Sequence, residues 1–150
     1  VTTTTPAAAA ADYFVGTGGD GTGASVDLRA TDRVTAELRR ALSRGPGGPP
    51  DIGVAAILND AATVRPTPSF VAVLRDGRTL PLLPARRVLG ARDDPAARRA
   101  RALLPPPGAL APQAAVSLYL VLESASVGDV QGVRMITASG ERVTLSPQAR

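Results

Sequence analysis

The chain has 150 residues, a formal net charge of +4 and no histidine, cysteine or lysine, all 17 basic residues being arginine. These absences exclude a Ser-His-Asp triad, imidazole and thiolate metal ligands, a thiol nucleophile, a lysine Schiff base and the ordinary P-loop. Leu, Ile, Val and Phe supply 36 residues, above the roughly 20% below which a chain struggles to bury a core, so one globular domain over 12–150 is expected.

Val1–Ala11 (VTTTTPAAAAA) is low-complexity and uncharged, and as an isolated segment it buries too little to offset its ordering entropy, so a flexible N-terminal arm is expected. It has neither the basic start nor the Leu-rich centre of a signal peptide. Tyr13-Phe14-Val15 reads as a short strand, Gly16–Gly23 as a glycine-rich loop and Val26-Asp27-Leu28 as a second strand. Thr31–Arg44 carries the clearest helical pattern: Val34, Leu38, Ala41 and Leu42 share a face, Thr31 is placed to cap it, and Arg39, Arg40 and Arg44 suit its C-terminal dipole. Gly45 is the expected stop, and Pro46–Pro50 a surface loop.

Residues 51–64 admit two readings. Ile52, Ala55, Ala56, Asn59 and Ala62 fall on one helical face with Asp51 as cap, and helix is favoured; a buried strand over Ile52–Leu58 is the alternative. Phe70–Leu74, Asp76-Gly77 and Thr79-Leu80 predict a hairpin over 69–83 with a two-residue turn. Pro81 lacks a backbone donor, which places the returning strand at an edge or near its end. Asp94 caps a helix that starts at Pro95 and runs to about Leu104, ended by Pro105–Gly108. A central strand is expected over 115–123. The most apolar run, Val116–Leu122, is far too short to cross a bilayer. A second hairpin is expected over 132–146, around Ala138–Glu141. The predicted class is α+β, a small mixed domain with two or three short helices, because strands and helices do not alternate regularly.

Two segments hold candidate functional residues. Gly16, Gly18, Gly19, Asp20 and Gly21 form a candidate interface loop that also fits G-x-G-x-x-G, the pattern whose glycines let a pyrophosphate approach the start of a helix. The nearest expected helix starts about ten residues too late for that role. A single GGDGTG also resembles calcium-binding glycine-aspartate turns, which act in stacked arrays, so one copy assigns no metal. Between Asp76 and Leu104 seven arginines face three aspartates, and Arg86, Arg87, Arg98, Arg99 and Arg101 are candidate contacts for a polyanion or a partner. No aromatic residues are interleaved to stack bases. Abundant Ala, Gly, Pro and Arg are also the residues of GC-rich codons, so the arginine bias has a compositional explanation beside the functional one. Asp93-Asp94 precedes a helix and reads as a cap.

The expected function is that of a non-enzymatic structural or interaction protein, acting by self-assembly or within a larger complex such as a virus particle or surface appendage. Its partner would be itself or another protein subunit. The alternatives are an arginine-mediated nucleic-acid or polyanion-binding module and an enzyme with carboxylate or nucleotide chemistry at Gly16–Gly23. No catalytic residue, cofactor or metal is assigned.

Overall fold

A computed structural model describes residues 12–43, 50–104 and 109–148. The expectations for 1–11, for Gly45 with most of the loop after it, and for Pro105–Gly108 lie outside these described residues. The strands are β1 (Tyr13–Thr17), β2 (Thr22–Asp27), β3 (Asp51–Asn59), β4 (Ser69–Leu74), β5 (Thr79–Pro84), β6 (Ala115–Leu122), β7 (Val130–Ile136), β8 (Arg142–Thr144) and β9 (Ser146–Pro147). The helices are α1 (Arg33–Leu42), α2 (Ala85–Leu89) and α3 (Pro95–Leu103), with a 3-10 turn at Val127–Asp129. The architecture is therefore α+β, as the sequence predicts.

All nine strands belong to one antiparallel sheet in the order β8-β7-β4-β5-β6-β3-β2-β1-β9. Its two outermost strands are consecutive in the chain. The final segment pairs with β7 through β8 and with β1 through β9, which curls the sheet into a near-barrel. Leu145 sits at the crossing, 1% exposed, and its N–H donates to the Val133 carbonyl at 3.0 Å. Gly16 is needed beside it, because a Cβ there would lie 2.5 Å from Leu145 Cδ2.

Three hairpins share one construction. In β1–β2, β4–β5 and β7–β8 the loop has three residues and ends on Gly21, Gly77 or Gly140, each with φ near +90°. The N–H of that glycine closes a tight turn onto Gly18, Leu74 or Thr137 respectively. This is a type I turn followed by a left-handed residue, which glycine adopts without steric cost. The Asp76-Gly77 turn is thus longer than the two-residue form its sequence suggested. The β1–β2 turn also corrects the boundaries of the glycine-rich segment: Gly16 lies in β1 and Gly23 in β2.

Inward side chains fill the barrel, among them Phe14, Val26, Ile57, Phe70, Leu120, Val133 and Met135. A second cluster lies outside, where Leu38, Leu42, Leu89, Ala97 and Ala100 from the three helices cover Ile52 and Val121. This explains the strand at 51–59, where a helix was favoured. β3 is central, flanked by β2 and β6. It buries Ala55 and Ile57 on its barrel face, and Ile52 on its helix face. The outer face is buried at Ile52 but exposed at Ala56 and Leu58, which are apolar all the same, so the sequence lacks the polar alternation that would have marked a strand. In α1 the cap is Asp32, one residue later than expected, accepting from Thr35 N at 2.8 Å. Asp94 caps α3 with Pro95 in its first turn, as predicted.

Candidate functional site

Two seams of the sheet are short, β1–β9 and β5–β6, and the second opens beside a long strand. β6 pairs with β3 over eight residues, from Asp51↔Leu122 to Leu58↔Ala115. With β5 it shares only Leu83↔Val121 and Pro84↔Leu120. β5 turns directly into α2 after Pro84, so among the described residues the N-terminal half of β6 has no second neighbour strand. An open cleft of about 790 Å³ lies there, bounded by β6, the start of β4, the start of α2 and residues 109–111. Phe70, Leu82, Leu110 and Leu120 line it and are all under 5% exposed. Among the described residues of its lining the charged ones are Arg86 and Arg87, and none is a carboxylate. Arg87 is exposed and Arg86 half-buried, one Arg86 nitrogen lying 3.5 Å from the Leu104 carbonyl.

The five candidate arginines therefore do not act as one patch. Arg101 turns its guanidinium onto the Gly90 and Arg92 carbonyls, at 3.0 and 2.7 Å, and so braces the α2–α3 connection. Arg98 and Arg99 are exposed on α3, with Asp93 and Glu37 at 4.0 and 3.9 Å. Arg92, which the sequence did not single out, clamps Asp94 with two hydrogen bonds and reaches the Ala41 carbonyl at 2.6 Å. Much of the cationic segment thus fastens the helices to one another.

The glycine loop is the β1–β2 hairpin turn, and an antiparallel strand follows it rather than a helix. The strand-to-helix geometry of a dinucleotide fingerprint is absent there. Gly19 N donates to Glu141 at 2.9 Å, Asp20 accepts from Thr22 N at 3.0 Å, and Arg65 lies 3.5 Å from Asp20. Gly18 belongs to the same turn. Among the described residues no cluster of three or more acidic side chains could hold a metal ion, and no helix is long and apolar enough to cross a membrane.

Behind the cleft strand, Tyr119 donates to Asp32 at 3.0 Å and ties β6 to the start of α1. Burial, then the hydrogen bond and charge of Asp32, push the Tyr119 hydroxyl up to about 12. Burial also acts to raise Asp32, but the Thr35, Tyr119 and Val34 donors outweigh it and hold the carboxyl below its ordinary value. The tyrosine contribution is complete below its ordinary 10.0 and is lost as pH rises towards about 12. The aspartate contribution is present above 3.8 and is lost as pH falls below it. An alkaline titration of phenolate absorbance should contain a step near 12 that moves down in Asp32→Ala. The same variant should lose about 1 kcal/mol of stability with the helix cap; a titration unchanged by it would break the link.

No protein-family model matches the chain, and neither a curated protein nor a solved structure is significantly similar to it.

Proposed function

We propose that this domain is a non-catalytic interaction module that receives its partner in the cleft between β6 and the start of α2. The observation that carries the reading is the cleft itself, an apolar concavity of about 790 Å³ opened by the incomplete β5–β6 pairing. Large apolar recesses with a few convergent polar groups are where proteins take ligands. The described lining is mainly apolar, with Thr67, Ser69, Tyr119 and two arginines but no carboxylate, which suits holding a partner rather than proton transfer. A nucleic-acid role draws less support, because Arg101 is engaged with backbone carbonyls.

The test uses N-phenylnaphthylamine, an uncharged apolar dye that fluoresces when it leaves water. Saturable one-to-one binding is expected, and it should be lost in Ala114→Trp, where an indole enters the cleft beside a half-buried small residue. Absence of binding, or equal binding by the variant, would overturn the assignment of this cleft.

A further inference from the structure

We infer that the occupant of the cleft is an extended peptide carrying acidic side chains, which adds to the open edge of β6 as a further strand. The inference rests on the reading of the cleft as a partner site. Its basis is the direction of the β6 backbone. Asn59 N donates to the Ala114 carbonyl at 2.9 Å, and Asp60 N to the Gly21 carbonyl at 3.0 Å. Because backbone groups alternate sides along a strand, the first bond directs Ala114, Val116, Leu118 and Leu120 towards β3. The second directs Leu58, Ala56 and Val54 towards β2, which is the same phase. Ala115, Ser117, Tyr119 and Val121 therefore present their N–H and C=O groups to the other side. Val121 meets Leu83 of β5 there. No described residue bonds the outward backbone groups of Ala115 and Ser117, whereas the Pro84↔Leu120 pairing takes up the Tyr119 carbonyl.

The rest of the seam sharpens the point. The bond from Leu74 N to the Arg78 carbonyl, 2.8 Å, sets the phase of β5 and turns Thr79, Pro81 and Leu83 towards β6. Pro81 stands on the part of β5 that runs past the C-terminal end of β6, away from the open stretch, and there the lack of an N–H blunts the edge. β6 carries no such guard: its edge residues Ala115, Ser117 and Tyr119 are neither proline nor charged. A purely hydrocarbon ligand would fill the apolar floor and leave these backbone groups without partners, a costly arrangement. An added strand satisfies them and sends alternate side chains onto Phe70, Leu82, Leu110 and Leu120. The charge of the peptide follows from the described lining, whose charged side chains are Arg86 and the exposed Arg87.

The experiment pans a library of short random peptides on the intact chain, then synthesises the best binder in three forms. One is unmodified, and two carry N-methyl groups on alternate backbone nitrogens in opposite phases. Selected peptides should alternate apolar residues and carry acidic ones. Methylation in one phase should weaken binding at least about tenfold, and the opposite phase should not. Ser117→Pro, which deletes an edge donor, should weaken it similarly, and Arg87→Glu should remove the preference for acidic peptides. Two methylated forms that bind alike would overturn strand addition, and selected peptides without acidic residues would overturn the charge assignment. Binding of the naphthylamine dye with no peptide recovered would refute this inference while leaving the cleft assignment standing. Failure of both would remove both.

Discussion

Asn59→Ala should lower the stability of this domain by about 2–4 kcal/mol, more than its two lost polar side-chain atoms suggest. Asn59 is 0% exposed, at the end of the central strand. Its amide nitrogen donates to the Thr63, Leu110 and Ala111 carbonyls at 2.9, 3.2 and 3.1 Å, and its amide oxygen accepts from Ala61 N at 3.1 Å. One side chain thus substitutes for secondary structure across two connections that have little of their own. Truncation strands several backbone groups, each costing about 1–3 kcal/mol where water cannot reach it. Asn59→Asp keeps the shape but replaces donors with acceptors facing carbonyls, so at neutral pH it should destabilise at least as much as alanine. Urea unfolding of the three proteins checks this through the midpoint at unchanged slope. An alanine variant within about 0.5 kcal/mol of the parent, the range of ordinary surface changes, would show that the two connections are held by other means. The cleft is a sensitive second readout, since Leu110 and Ala111 form part of its lining.

The hairpins were legible in the sequence because their signal is local. Asp76-Gly77 between apolar runs declares a reversal, and only the length of the loop needed the structure. The Asp94-Pro95 start of α3 was legible for the same reason: a side-chain acceptor followed by a residue that needs no donor is a complete instruction within two positions. β3 was not, because its pattern depends on what lies above and below it. Ile52 is apolar on account of α1–α3, and Ala55 and Ile57 on account of the barrel. α2 escaped the sequence reading because it is five residues long, follows directly on Pro84 of β5 and has no side-chain cap. The arginines show the same limit on the functional side. Spacing marked Arg98, Arg99 and Arg101 as a patch, whereas tertiary contact engages Arg101 and separates it from Arg86 and Arg87 at the cleft. Pro81 suggested a strand at an edge or near its end; instead β5 lies between β4 and β6 and continues to Pro84, and Pro81 is accommodated because it faces away from β4, past the end of β6.

The open edge of β6 leads to a second large and unequal effect. Leu118→Pro should destabilise the domain by at least about 3 kcal/mol, whereas Ser117→Pro, one residue away, should cost about 1 kcal/mol or less. Leu118 pairs with Ala55, in the phase whose N–H groups bond β3. Proline there deletes a ladder bond between two central strands and leaves an acceptor unmet. Ser117 faces the opposite way, where its N–H bonds no described residue, and extended backbone at Val116 is what a following proline requires. Leu118→Ala supplies the control, because it removes the same apolar side chain without touching the backbone; subtracting its cost isolates the ladder bond. Denaturant unfolding of the three variants measures the contrast. If Ser117→Pro unfolded the domain as severely as Leu118→Pro, the β6 edge would have to be paired in solution, and no strand could add to it. If Ser117→Pro keeps its midpoint, it becomes a folded protein with one edge donor removed, so any loss of peptide binding it shows belongs to the edge and not to the fold.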